Sequence, residues 1–579
     1  MTTYMKFTCR MRVLIGTYSR RYLTNGNLRK RISSTVLTPT RQLGTRKLFS
    51  STTAQCVIYT SPLPDLNIKE ESLPEYLLPK FEIFGNRTAL VDDSSGKSYT
   101  YLEMRDAVIQ LCSALHKLGY RKGDVLCMCS TNNTEYAILI LACATSGIML
   151  TTTNPVYTSA ELTRHLRHSG AIGVVVIKSL LPNVKEALES DSVLKTSISN
   201  IIVVGEAEGY RSFSDLLNDD GSCFPENLTI NPKEDVALLP YSSGTTGFPK
   251  GVMLTHLNIV SNLQQIRPLL TFTTDDTSLC LLPMFHAYGM LIILFSALQD
   301  GAKLVIIPEF EPESFLTTIQ RHKVTVLFMV PPVALFLARH PMVDKFDISS
   351  ISRHVCAAAP LGQSISREYE NRLKRPVCQG YGMTELSPVA TIDTLPPHHI
   401  GTVGPLVPNT AAKIVCPDTG ASLGPGKTGE LCIRGPQVMK GYLNNEEATN
   451  NMIKDGWLYT GDVGYAREDG SFVITDRLKE LIKYKGLQVA PAELEDLLLR
   501  HPGVQDVAVV GVADERAGEI PRAFIVPKPN SKVTPEDVSR FVEENVTPFK
   551  KLRGGVEFLN EIPKSPSGKI LRRMLRDLS

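Results

Sequence analysis

From about residue 90 to residue 475, short apolar runs alternate with stretches of helical character. The runs are Gly173-Val174-Val175-Val176-Ile177, Ile201–Val204, Lys303–Ile307 and Val324–Val330. Runs with so few polar breaks predict strands buried on both faces, as parallel strands are. Between them, Tyr101–Leu118, Ser159–Ser169 and Ser314–His322 read as helices. This alternation is the pattern of an α/β fold. Beyond about residue 410 the texture changes to short strands broken by Gly and Pro, at Ala412–Val415, Glu430–Arg434 and Ser471–Thr475. These predict a small β-rich subdomain. Past Asp476-Arg477 come helix Ala490–Arg500, strands Val504–Val512 and Arg522–Val526, and helix Thr534–Asn545. They form a separate α+β unit. The longest apolar stretches, Ala137–Leu150 and Met290–Leu298, fall short of the ~20 residues that span a bilayer and are expected as buried helices.

Composition narrows this little. The 579 residues are 43% hydrophobic and 21% charged, which excludes collagen-like, mucin-like and largely disordered chains. A core of this size needs no disulfide staples. The twelve cysteines include no Cys-x-x-Cys pair. The nearest approach, Cys127-Met128-Cys129, is read as sending its thiols to opposite faces of a strand. A reducing compartment and no zinc site are expected.

Charge changes the picture more. Residues 1–64 hold eleven Lys and Arg and no Asp or Glu. Taking those eleven from the 62 bases leaves 51 against 59 acids, so a body of net −8 lies beneath the overall +3. An acidic body argues against a nucleic-acid surface. The leader is rich in Ser and Thr, with Arg10, Arg12, Arg20, Arg21, Arg29, Arg31, Arg41 and Arg46 spread along it. That is the composition of a mitochondrial transit peptide, with cleavage expected near Arg46–Ser50. The expected location is the mitochondrion; a plain basic tail would leave the protein in the cytoplasm. The final residues, Asp577-Leu578-Ser579, are not the Ser-Lys-Leu address. The expected division is a leader at 1–55, an N-terminal domain at 56–475 and a C-terminal domain at 476–579.

The strongest chemical signal is Tyr241-Ser242-Ser243-Gly244-Thr245-Thr246-Gly247-Phe248-Pro249-Lys250-Gly251. Glycines let backbone N–H groups approach an anion, hydroxyls donate further hydrogen bonds, and a lysine adds charge. The segment suits polyphosphate. It is not a Walker A loop, because Pro249 precedes the lysine and Gly251 follows it. Gly424-Pro425-Gly426-Lys427-Thr428-Gly429 matches a dinucleotide fingerprint in letters only, since it lies between short strands with no helix after it.

The 242–251 segment resembles the AMP-binding signature of the adenylate-forming superfamily. So do Gln379-Gly380-Tyr381-Gly382-Met383-Thr384-Glu385, Tyr459-Thr460-Gly461-Asp462, Asp476-Arg477-Leu478-Lys479-Glu480, Lys485-Gly486 and Pro566-Ser567-Gly568-Lys569. The resemblance runs from about residue 60 to the end. Within the superfamily, Asp476–Glu495 is most similar to the acyl-CoA synthetases of the 4-coumarate–CoA-ligase-like branch.

That resemblance implies an α/β fold whose large N-terminal domain of parallel αβ subdomains and a β-rich subdomain is followed by a mobile α+β C-terminal domain. It implies ATP, Mg²⁺ and coenzyme A as cofactors and a carboxylic acid as substrate. Ser242, Ser243, Gly244, Thr245, Thr246 and Lys250 would hold the β- and γ-phosphates. Tyr381 would stack near adenine, with Gln379 and Gly380 beside the nucleotide and Thr384 at the α-phosphate. Glu385 would bind Mg²⁺, a hard cation that prefers oxygen. Asp462 would accept from the ribose hydroxyls, assisted by Arg477. Lys479 and Lys483 would join the nucleotide contacts, and Lys485 and Gly486 the CoA tunnel.

Lys569 would bridge substrate carboxylate and α-phosphate. It is expected at a helix N-terminus, with Ile570–Leu575 starting the helix. Asp476 matches the hinge about which relatives swing the small domain. His286 would gate the acyl channel and Tyr288 line it; Ala357, Gly380, Pro388 and Val389 complete the pocket. Pro388 and Val389 are apolar, so a hydrophobic acid is expected, fatty or arylalkanoic. Two positions depart from relatives: Ala357 stands where many carry Gly, and Glu309 where coumarate ligases tend to carry Lys. The alternatives are a luciferase-like mono-oxygenase, an adenylating enzyme feeding a separate carrier protein, and a silent binding protein.

Overall fold

The computed structural model describes residues 49–50, 57–242, 249–485 and 487–578. The rest of the predicted leader lies outside these, as do five expected site residues: Ser243, Gly244, Thr245, Thr246 and Gly486. Among the described residues the strands make four sheets.

Two sheets carry the parallel pairing expected from the apolar runs. One has at its centre Val236–Leu239, Met149–Thr152, Val125–Cys129, Gly173–Ile177 and Asn200–Val204, all parallel. In the other, Val377–Gly382, Arg353–Cys356, Val326–Met329, Thr277–Cys280, Lys303–Ile306 and Thr88–Asp92 run parallel between antiparallel edge strands. Val125–Cys129 shows why such strands read as continuous apolar runs. All five residues are buried. Leu126 and Met128 enter the main core, while Val125, Cys127 and Cys129 enter a second cluster with Val174 and Val176. The expectation for the two thiols is therefore corrected: Cys127 and Cys129 share a face, as alternate residues of a strand must.

Capping boxes set the helix starts. Tyr101–Lys117 begins after Thr100, whose N–H donates to Glu103 while its hydroxyl accepts the Glu103 N–H. Ser159–Ser169 begins in the same way at Thr158 and Glu161 and ends at Gly170, φ 67°. The Ala137–Leu150 run is not one helix. Helix Thr134–Ser146 stops at Gly147, φ 68°, and Met149–Thr152 is already a strand. Met290–Leu298 is helical and buried, with a wide π-turn over Tyr288–Leu294.

The third sheet is antiparallel and holds Ala411–Val415, Gly429–Arg434, Trp457–Ala466 and Phe472–Arg477. Ile58–Thr60 joins it from the other end of the chain. Phe49–Ser50, inside the expected leader, pairs with Ile58–Thr60. The fourth sheet belongs to the C-terminal unit. Its long hairpin, Val504–Asp514 with Gly518–Pro527, is covered on one face by helices Pro491–Leu498 and Pro535–Asn545. Ile562 and Leu575 cover the other. Asp476 is not past the large domain's last strand but inside it, paired with Val463.

Candidate active site

Ligands of parallel α/β sheets bind beyond the carboxyl ends of the strands. Here that rim carries His286 after Thr277–Cys280, Ala357 after Arg353–Cys356, and Tyr381 and Thr384 at the end of Val377–Gly382. Gly382 makes the turn possible. A Cβ there would lie 2.0 Å from the Pro388 carbonyl oxygen. The chain doubles back through Thr384–Leu386 into Val389–Ile392, which leaves Thr384 and Glu385 buried beside Tyr381.

Asp462 stands opposite Arg477 in the antiparallel ladder. Its Oδ1 lies 3.0 Å from Arg477 Nε, and its Oδ2 accepts a 2.6 Å hydrogen bond from the Tyr381 hydroxyl. Asp462 and Arg477 thus meet as expected. What the structure places on Asp462 is the Tyr381 hydroxyl. The Asp462 carboxylate holds the Arg477 guanidinium above its ordinary range. Ser242 and Lys250 face each other across the stem of an antiparallel hairpin. Gln379 spends its side-chain oxygen on the Leu361 N–H, 3.1 Å, which fixes the segment after Ala357. Gly380 lies in the strand, 3.3 Å from the Thr391 carbonyl at its Cβ position.

Lys569 reaches this rim from the last segment of the chain. It does not sit at a helix N-terminus, which corrects the expectation. Ile570 is drawn into a bridge with Lys564, and the helix starts only at Arg572. A tight loop holds the lysine instead: Ser565 N–H donates to the Lys569 carbonyl at 2.8 Å, and Lys569 N–H donates to Ser565 Oγ at 3.1 Å. Gly568, φ 78°, lets that loop rest on the large domain, where a Cβ would come 3.0 Å from Val330 Cγ2. Burial lowers the Lys569 pKa, and the Arg477 charge lowers it further; Asp462 and Glu385 oppose both. The same ammonium acts on His286, whose pKa is pushed down to about 3 by burial first and Lys569 second. His286 is therefore neutral at physiological pH, and its Nδ1 accepts the Tyr288 N–H at 3.3 Å.

Ser364 Oγ to Asp496, 3.1 Å, and Arg339 to the Leu499 carbonyl, 3.2 Å, also hold the two domains together. Asp476 sits at their junction. Its carboxylate accepts the Arg477 N–H at 2.7 Å and the Ala492 N–H at 3.0 Å, the latter at the start of helix Pro491–Leu498. Burial raises its pKa to about 6, despite Arg572 and the two backbone donors. A raised carboxyl pKa means this group favours the folded state below the ordinary carboxylate range. That contribution is lost as pH rises through about 6.

Tyr288 is buried, its hydroxyl 3.4 Å from the Val355 carbonyl. Pro388 is buried behind a cis Ser387–Pro388 bond. Asn262, which sequence reasoning missed, clasps Val389 through its N–H at 3.1 Å and its carbonyl at 2.8 Å. Lys483 and Lys485 are not brought to the site. Both are exposed on the hairpin Ile482–Tyr484 and Leu487–Val489, with Lys485 at φ 48°. Lys479 lies in the turn just after Arg477.

Among the described residues no group of three or more His, Cys, Asp or Glu could hold a metal ion. Of the two buried carboxylates at the site, Asp462 is engaged by Arg477 and the Tyr381 hydroxyl, which leaves one, Glu385, for a metal ion. That suits Mg²⁺, which keeps several waters and takes its other oxygens from phosphates. The described cations Lys250, Arg477 and Lys569 outnumber the carboxylates Asp462 and Glu385, so the rim suits a polyanion. No described helix is long and apolar enough to cross a membrane.

Comparison with known proteins gives the same picture. The family model for AMP-binding enzymes matches residues 80–443, and that for their C-terminal domain matches residues 493–569. The chain is 42% identical over 534 residues to 4-coumarate–CoA ligase 1 of Arabidopsis thaliana, covering 90% of this chain and 95% of that protein. It is 42% identical over 535 residues to 4-coumarate–CoA ligase 2 of Nicotiana tabacum, covering 90% and 97%. Among solved structures, ATP-bound MatB from Rhodopseudomonas palustris superposes with a TM-score of 0.79 at 26% identity, over 87% of this chain and 99% of that one.

Proposed function

Since the chain belongs to the family of AMP-binding enzymes, we infer that it is an ATP-dependent acid–CoA ligase working in two half-reactions. In the first, a carboxylate oxygen attacks the α-phosphorus of ATP; the new P–O bond gives an acyl-adenylate as the bond to pyrophosphate breaks. In the second, the CoA thiolate attacks the acyl carbon, the C–S bond forms, and AMP leaves with the carboxylate oxygen. The observation that carries this reading is the meeting of Lys569 with Glu385, Asp462 and Arg477 at one rim.

The first step joins two anions. At 4 Å they repel by about 4 kcal/mol at an effective dielectric of 20. An ammonium between them offsets that, and Lys569 is the mobile cation able to do it. Ser242 and Lys250 hold the outer phosphates at the hairpin stem, Thr384 faces the α-phosphate, and Asp462 takes the ribose. Glu385 would be the protein oxygen that holds Mg²⁺, which when bound would neutralise phosphate charge. Neutral His286 guards the acyl channel without adding charge. For the second step the small domain turns about Asp476, away from the Gly568–Val330 contact. It then presents the Lys483–Lys485 hairpin to CoA.

The acid is hydrophobic, fatty or arylalkanoic. Tyr288, Pro388 and Val389 supply apolar walls, and the Ala357 methyl narrows the pocket against a bulky ring. Glu309, exposed on the surface, sets this chain's CoA approach apart from that of coumarate ligases. The Arg-rich, acid-free leader supports a mitochondrial location.

A pyrophosphate-release screen over straight-chain and arylalkanoic acids of graded length, run with and without CoA, tests this reading. One class should stand out, with turnover rising when CoA is added. Release that never responds to CoA would remove the ligase reading.

A further inference from the structure

Glu385 is held by a residue that no motif marks. Tyr442 lies in the two-residue strand Gly441–Tyr442, paired with Lys250–Thr255 so that Tyr442 stands opposite Val252. Its hydroxyl donates a 2.8 Å hydrogen bond to Glu385 Oε1. Both side chains are buried, at 5% and 4% exposure. Three residues earlier, Met439 N–H donates to the Glu385 carbonyl at 2.9 Å, so one segment grips both the backbone and the side chain of Glu385. The Tyr442 N–H is itself fixed on Thr449 Oγ1, 2.9 Å. The face of its ring is turned to Lys250, whose Nζ lies 5.0 Å from the centroid, within the range of a cation–π contact.

We propose that Tyr442 is a positioning residue that sets the metal-binding carboxylate Glu385 and the phosphate-binding ammonium Lys250 in register with one another. The inference rests on the ligase reading, in which Glu385 holds Mg²⁺. A carboxylate oxygen only accepts, so at 2.8 Å the phenol is the donor to Glu385. With Oε1 fixed, Oε2 is aimed, and no described residue claims it by a hydrogen bond. Groups that hydrogen-bond a metal-binding carboxylate orient it and tune its affinity. The aromatic face meanwhile holds Lys250 on the same side of the hairpin stem.

The test compares calorimetric affinities of the full chain for ATP in excess Mg²⁺ and for ATP in EDTA. Tyr442→Phe keeps the ring and loses the donor. It should weaken Mg-ATP by about tenfold, the scale of one hydrogen bond to a charged group, and leave metal-free ATP within about twofold. Tyr442→Leu should also weaken metal-free ATP, because Lys250 loses its ring. In a Glu385→Gln background, adding Tyr442→Phe should cost nothing more. Equal weakening of both forms by Tyr442→Phe, or no weakening of Mg-ATP, would overturn the proposal. If Glu385→Gln alone leaves the Mg-ATP to ATP ratio unchanged, the metal assignment of Glu385 fails and the proposal falls with it. If Glu385→Gln changes that ratio and Tyr442→Phe does not, the assignment stands and the role of Tyr442 alone is lost.

Discussion

Replacing Lys569 by alanine is expected to slow acyl-adenylate formation by roughly 10²–10³-fold, the cost of losing one donor aimed at charge that develops in a transition state. The ammonium acts where Arg477, Asp462 and Glu385 converge, and no other cation of the last segment is placed there. Arg572 is bound to Glu495 and the Val509 carbonyl, and Arg576 to Glu480. The thioester half should behave differently. Given synthetic acyl-adenylate and CoA, Lys569→Ala should form product at close to the wild-type rate, because in the proposed cycle the lysine has left the site by then. Paired assays of ATP–pyrophosphate exchange and of thioester formation from the adenylate read the two halves separately. Equal loss in both would mean that the side chain supports the fold rather than the first step.

Asp476→Pro should give the opposite split. Proline fixes φ near −65° and removes the N–H, so a backbone that must change its dihedrals to turn the small domain is held. The docking contacts of the observed arrangement, Gly568 on Val330 and Ser364 on Asp496, do not need that freedom. Thioester formation should therefore slow by about 10²-fold, the rate equivalent of an unsuited proline's ~3 kcal/mol, with pyrophosphate exchange much less affected. Asp476→Ala is the control. It loses the carboxylate that accepts the Ala492 and Arg477 N–H groups but keeps the rotation, so it should fall well short of the proline effect. Matching losses in alanine and proline variants would assign the role to the carboxylate and not to backbone rotation.

The large parallel sheets were legible because their signal is local. Val125–Cys129 or Gly173–Ile177 must be apolar on every residue to face a core on each side. The helix read over Ser159–Ser169 starts where it was expected, and the structure shows why: Thr158 and Glu161 form a capping box there. The errors came where a single glycine or a short bridge overrides an apolar run. Gly147 cuts Ala137–Leu150 in two, and the Lys564–Ile570 bridge delays the last helix to Arg572. At the site, the affinity of the 242–251 segment for phosphate was read from its hydroxyls, glycines and lysine, whereas the ribose role of Asp462 came only from the family resemblance. Tyr442 could be read in neither way. Its place depends on pairing with Val252, 190 residues earlier, and a strand of two residues has no periodicity to read. Lys483 and Lys485 carry the right chemistry, yet both are exposed on their hairpin in this arrangement, and residue type alone does not say which face a domain docks.

The central claim is that the acid passes through a mixed anhydride with AMP. The most direct test uses acid labelled with oxygen-18 in its carboxylate, in a single turnover with ATP and CoA, followed by mass analysis of the products. The account predicts one labelled oxygen in the phosphate of AMP and the other in the thioester carbonyl. Label in pyrophosphate or orthophosphate, or AMP carrying none, would contradict it.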